Sequence, residues 1–221
     1  MERDQFLGRV RAALRGTRLP ETIGPDPAPP ISFGDPVARY VVAAGEAGAE
    51  IVQVEGPEAA RGEIVRIAAD EAFGRSGQAG FVAWDGLDAI VPGLYDDVAE
   101  AGWERIEASV GTESRLDDHQ RVANASLGIT GADVAIAATG SVVLGHGSGR
   151  PRAASLLVEH HIVLLPIDRI VASLQEALEI TDWSMASNWV AITGPSRTGD
   201  IESILTLGVH GPRTLSIVLI R

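Results

Sequence analysis

The sequence predicts an α/β fold: a mainly parallel sheet flanked by helices, with an N-terminal helical arm in front of it. Three observations lead there. Segments of helical period and strand-like segments alternate along most of the 221 residues. Several of the strand-like segments, such as HIVLLP and TLSIVLIR, are continuous apolar runs, which marks strands covered on both faces. The chain is 45% hydrophobic but only 5% aromatic, so Ala, Val, Ile, Leu and Gly have to build the core.

Each element follows in order. Residues 2–15 place Phe6, Leu7, Val10 and Leu14 at helical spacing, with Arg3, Arg9, Arg11 and Arg15 beside them. Six prolines, at positions 20, 25, 27, 29, 30 and 36, then predict an extended linker. The expected organisation is a helical arm over 1–18, a proline-rich linker over 19–36 and an α/β domain over 37–221. The arm is free to dock on its own core, on a sister subunit to form an oligomer, or on a partner. From Pro36 the reading is helix PVARYVVAAGEAGA, strand EIVQVE, helix PEAARGEIVRIAADEAF and strand GFVAW. A weaker helical stretch precedes Trp103; RIEASV reads as a strand and DHQRVANASLG as a helix. The β-prone ADVAIAATGSVVL is followed by a short helix near 152–159, the strand HIVLLP and the helix IDRIVASLQEALE. The strand NWVAIT, the helix TGDIESILTLG and the strand TLSIVLIR complete the chain. Ligands of such sheets bind beyond the carboxyl ends of the strands, so the loops after strands are the first place to look.

Charge and composition exclude several functions. A net charge of −12 argues against a nucleic-acid surface, which should be basic, and against an anionic membrane. The chain has no cysteine, so it forms no disulfide and supplies no thiolate to a metal or iron–sulfur site. It shows neither an apolar leader nor a run of about 18 apolar residues, which predicts a cytoplasmic protein without membrane insertion. His119, His146, His160, His161 and His210 show no metal spacing, and the adjacent pair 160/161 on a strand would face opposite ways.

Three segments carry candidate binding residues. In AIAATGSVVLGHGSGRPR, Gly140 allows a sharp turn between the hydroxyls of Thr139 and Ser141, either as a plain hairpin or as a ligand loop. The same segment continues into three glycines with His146, Arg150 and Arg152, without dinucleotide spacing and without a P-loop lysine. The chain has no lysine at all, and its arginines offer forks suited to carboxylate or phosphate. In ITGPSRTGDIESIL, Gly194 and Pro195 end a strand, Ser196 or Thr198 is placed to cap a helix, and Asp200 and Glu202 suit its first turn. That leaves Arg197 to point either into a cleft or back into the fold. In LGVHGPR, Gly208 reads as a helix C-cap, and His210, Gly211 and Pro212 as a tight turn. These loops, around 139–141, 194–198 and 210–212, are expected to converge on one cleft.

Read together, GITGADVAIAATGSVVL, HIVLLPIDRIVASLQEAL and SNWVAITGPSRTGDIESILTLGVHGPRTLSIVLI resemble the LUD-domain family, of the lactate-utilisation protein C type. The resemblance implies a sheet like that of glucosamine-phosphate isomerases, ribose-phosphate isomerases and CoA transferases. It also implies a role in a system oxidising L-lactate, whose partners are a cysteine-rich subunit and an iron–sulfur subunit. Clusters are expected in those partners and no cofactor in this chain. Thr139, Gly140, the run Gly194–Thr198, Asp200, Glu202, His210, Gly211 and Pro212 fall at the family's signature positions. One departure is Ala138, where many members carry an acid. The alternative expectation is an independent enzyme or sensor binding a carboxylate, phosphate or CoA-type anion.

Overall fold

The structure is a computed structural model that describes residues 3–15, 31–70, 80–108, 120, 122–123, 125–199 and 205–221. It opens with α1 (Arg3–Ala13) and α2 (Pro36–Glu46), followed by β1 (Glu50–Val54) and α3 (Gly56–Ala69). Next come β2 (Gly80–Ala83), a 3-10 turn at Leu87–Ala89, α4 (Leu94–Glu100) and β3 (Glu104–Arg105). The middle of the chain holds β4 (Ala125–Gly131), β5 (Val134–Ile136), β6 (Ser141–His146) and α5 (Ala153–Leu156). Then follow β7 (His160–Pro166), β8 (Ile170–Val171), α6 (Leu174–Ile180) and β9 (Asn188–Ile192). β10 (Arg197–Gly199), β11 (Leu205–Leu207) and β12 (Thr214–Ile220) end it.

The main sheet has six strands in the order β1-β12-β7-β4-β2-β3, and every pairing in it is parallel. The apolar runs explain why. Ile162 to Leu165 of β7 and Leu215 to Leu219 of β12 are buried on both faces, as central strands of a covered sheet must be. β1 lies at an edge and alternates more polar residues. Helices cover the sheet: α3 lies on β12 and α4, α5 on β4 and β2, and α2 bridges β1 and β8. Asp35 starts α2 by accepting the amide of Ala38 at 2.9 Å, with Pro36 in the first helical position.

A second, four-stranded sheet, ordered β8-β5-β6-β9, is assembled from inserts after β4 (β5 and β6) and after β7 (β8 and β9), and with α6 it buries a small cluster of Val134, Ile136, Val143, Val171 and Ala177. In the main sheet, β2 leads outward to β3 while its other neighbour, β4, leads the opposite way into this insert. The carboxyl ends of β2 and β4 therefore flank a topological switch point.

The parallel α/β class expected from the pattern is the class observed, but three predicted helices are corrected. In DHQRVANASLG, residues 125–128 belong to central strand β4, because pairing with both β2 and β7 outweighs local helical preference. IDRIVASLQEALE breaks in two: Ile170 and Val171 pair with β5, and the helix begins only after Ser173. There Ser173 accepts the amide of Glu176, and Glu176 reaches back to the amide of Ala172, a reciprocal cap that starts a helix at that residue. In TGDIESILTLG, the described ends are the antiparallel strands β10 and β11, with Thr198 opposite Thr206; β-branched residues suit that extended pairing. Asp200 and Glu202 lie outside the described residues, as do most of the linker and His119.

Candidate functional site

The signature loops meet at the amino end of the main sheet. Gly194, Pro195, Ser196, His210, Gly211 and Pro212 line one hollow of about 180 Å³, floored by His161 and Leu215. Ser196 ties the loops together: its amide donates to Pro212 and its carbonyl accepts from Gly208, at 2.9 and 3.0 Å. The 139–141 turn does not line this hollow, but it is wired to its rim. Ser141, buried, sits between Thr139 and Thr193 with hydroxyl contacts of 2.6 Å on each side.

The glycines of these loops have a packing reason. Gly140 has φ +68, and a Cβ there would stand 2.2 Å from the amide nitrogen of Ala44 in α2. Gly194 has φ +72, and its Cβ would stand 2.1 Å from the carbonyl oxygen of Ala47. Both loops thus press against the last turn of α2, where no side chain fits. Arg197 serves the same junction. Its guanidinium donates to the carbonyl of Ala47 at 2.5 Å, so it caps the carboxyl end of α2 and turns away from the hollow. Thr198 lies in the hairpin rather than at a helix start, and Gly208 closes that hairpin's return. Arg39 of α2 donates to the carbonyl of Ala138 at 3.2 Å, at the position where the expected acid is missing.

The two histidines that open β7 are structural in their contacts. His160 Nε2 lies 2.8 Å from the Ser216 hydroxyl of β12, and His161 Nε2 lies 2.9 Å from the Thr130 hydroxyl of β4. Adjacent on a strand, they leave opposite faces of the sheet, and their hydroxyl partners belong to different neighbouring strands. Burial pushes their pKa values down, to about 4 for His160 and about 3 for His161, so both rings are neutral at physiological pH.

The larger openings lie at the other end of the sheet, beside the switch point. One cleft of about 620 Å³ is bounded by Asp133, His146, Arg150, Arg169, Met185 and Trp189. A second, of about 440 Å³, is bounded by Ala83, Asp85 and Arg105. Gly147 and Ser148 line both, so the Gly-rich loop is the wall between them. Asp133 pins that loop: one oxygen accepts Arg150 at 2.8 Å and the other accepts the amide of Gly145 at 2.7 Å. Arg150 stacks over Trp84 at 4.8 Å, and Trp84 meets the ring of His146 edge-on at 5.6 Å. On the far side Arg105 pairs with Asp85 at 2.8 Å and covers the ring of Tyr95 at 4.0 Å. His146 is buried, and burial lowers its pKa against the opposing pull of the Arg150 carbonyl. Arg169 differs from these paired arginines: among the described residues it reaches only the main-chain oxygen of Asp133, at 3.4 Å, and pairs with no carboxylate. No group of His, Asp and Glu among the described residues converges to hold a metal.

Of the sequence candidates, His146 and Arg150 belong to these clefts, while the twelve signature-loop residues belong to the amino end or lie outside the described residues. Trp84, Asp85, Arg105, Asp133 and Arg169 were missed. The signal for the first two was present, since they stand at and just after the end of the strand GFVAW, where a parallel sheet places its ligands; Asp133 was hidden because the start of β4, the strand before it, reads as a helix.

Fold and site together define a parallel α/β protein with ligand-sized clefts at the switch point of its sheet. The fold resembles that of a DUF162 family protein from Deinococcus radiodurans, with TM-score 0.57 and 22% identity, covering 87% of this chain and 100% of that one. Residues 37–220 match the model of the LUD domain, and the chain belongs to that family. It is 28% identical to a Lactate utilization protein C of Deinococcus radiodurans over 222 aligned positions, 98% of this chain and 94% of the relative. It is 30% identical to the Lactate utilization protein C of Bacillus licheniformis over 61% of this chain, a match that spans 57% of the relative's length. No described helix is long and apolar enough to cross a membrane.

Proposed function

We propose that this chain serves L-lactate utilisation as an accessory subunit, with the iron–sulfur clusters and the electron transfer in partner proteins. The observation that carries this reading is the likeness to Lactate utilization protein C over 98% of the chain. The absence of cysteine supports it, because redox clusters held by thiolates must then lie on other chains. Deleting the gene with its neighbours intact is the test. The expected result is loss of growth on L-lactate and of lactate oxidation in extracts, restored by the gene in trans; undiminished lactate oxidation overturns the reading.

A second reading rests on the clefts at the switch point. In it the chain binds a small organic anion in the larger cleft, with the carboxylate on Arg169 and an apolar portion on Met185 and Trp189. Its support is the guanidinium of Arg169, which pairs with no carboxylate among the described residues, beside a ligand-sized opening. Calorimetric titration with lactate, pyruvate, nucleotides and acyl-CoA tests it. Binding by one of them that Arg169→Ala weakens at least tenfold supports it, and no heat with any of them rejects it.

A further inference from the structure

The helix α1 has an uncovered apolar stripe. None of its residues is buried, and Phe6, Val10 and Leu14, spaced four apart, are each between 39% and 61% exposed. Residues at that spacing share one helix face, and such a face on a short helix is unstable in water unless something covers it. The residues around the stripe are basic: residues 3–15 hold four arginines and a single acid, Asp4, in a chain whose net charge is −12. The helix is therefore of opposite sign to the rest of its own molecule.

A matching surface exists on the body. Leu174 and Leu178 of α6 are each more than half exposed, while the helix is held down from below by buried Ala177, and Ile180 and Met185 border the larger cleft instead. Leu174 and Leu178 lie four residues apart and so share a face. The charge around them is of the other sign. Between Arg169 and Arg197 the chain has no basic residue, but it has Glu176, Glu179 and Asp182, all exposed. Hydrogen bonds from Ser184 hold the pKa of Asp182 below the usual carboxylate range, so it is charged at neutral pH. Apolar stripe faces apolar stripe, and an arginine border faces a carboxylate border.

We propose that α1 of one chain docks on the α6 face of a second copy, and that two chains exchange arms in a closed two-fold dimer. Each copy carries one arm and one acceptor face, so the exchange is self-complementary and leaves neither uncovered. Reach permits it. Twenty residues separate Arg15 from Pro36, and a chain of that length spans at most roughly 70 Å, about twice the width of a small domain. The charged border sets the register and makes the association salt-dependent, because exposed pairs are screened within about 8 Å at physiological ionic strength.

Light scattering on the full chain across a concentration series tests the oligomeric state. A mass twice that of the 23.2 kDa chain is expected, falling to one chain on removal of residues 1–18 or in Leu178→Glu. Arg11→Glu should raise the dissociation constant at least tenfold, and adding Glu179→Arg should recover most of that loss. The missing cysteines allow a cleaner test of which chains touch. Ala13→Cys and Gln175→Cys are made in separate chains, mixed, and treated with a short bis-maleimide. A covalent product joining the two variants is expected, suppressed by high salt. A wild-type monomer at 100 μM, a dimer that survives removal of the arm, or cross-linking confined to a doubly substituted single chain each overturns the proposal.

Discussion

The two ends of the parallel sheet are built on different principles. At the amino end, glycines and hydroxyls dominate, and the loops close on a hollow of about 180 Å³. At the carboxyl end, paired charges stand around clefts of about 620 and 440 Å³. The amino end carries the densest sequence signature, yet the contacts of that signature point inward. Gly140 and Gly194 leave room for α2, and Arg197 caps it. The carboxyl end carries few recognisable motifs, yet it has the space and the switch-point geometry for a ligand. A dense motif is therefore evidence that the chain comes very close to itself as much as evidence of a ligand.

Four expectations test that contrast, the first three of them measured by denaturant titration. The largest concerns pH. The pKa values of His160 and His161 are lowered in the folded state, so the unfolded state binds more protons below about pH 6.5. Stability contributed by the neutral rings is then complete above that pH and is lost as pH falls toward about 4 and about 3. Between pH 7 and pH 5 the loss should be about 2 kcal/mol per histidine. His161→Gln should flatten the slope, and an unchanged pH dependence would contradict buried neutral rings. Next is Gly140→Ala, where left-handed strain and a collision with α2 together should cost about 3 kcal/mol. A neutral result would mean that this turn is free to carry ligand chemistry rather than packing.

Asp133→Ala comes third. It leaves the amide of Gly145 without its partner and releases Arg150, at about 2 kcal/mol. The same variant should weaken any anion bound beside the Gly-rich loop, read by calorimetry, because the wall between the clefts loses its anchor. The smallest effect is expected for Arg197→Ala, below about 1 kcal/mol, since the guanidinium is exposed and caps a helix end. Ligand affinity should not change; a tenfold loss would move the binding site to the amino end.

The legible and illegible parts of this molecule separate by the range of the interactions involved. The buried runs of β7 and β12 announced central strands, because burial on both faces leaves a continuous apolar pattern. Pro36 announced the start of α2, and the cap that completes it, the Ala38 amide on Asp35, is a contact only three residues long. Residues 125–128 misled, because a strand between two parallel neighbours is stabilised by residues far along the chain: Leu127 stands opposite Phe81 on one side and His160 on the other. The hairpin of β10 and β11 misled for a similar reason. Gly, Ser, Thr and two acids satisfy a helix start as well as a turn, and pairing across the strands settles the choice.

For the site, the residue types were readable and their directions were not. Composition and local pattern were enough for an α/β class, a parallel core, the absence of thiolate chemistry and a basic arm on an acidic body. These depend on which residues are present and on their spacing within a few turns. The guanidinium of Arg197 meeting the carbonyl of Ala47, 150 residues earlier in the chain, depends on neither. The same holds for Asp133 holding the wall between two clefts. Such contacts exist only once the sheet has ordered its strands, because that order decides which loops share an end of the molecule.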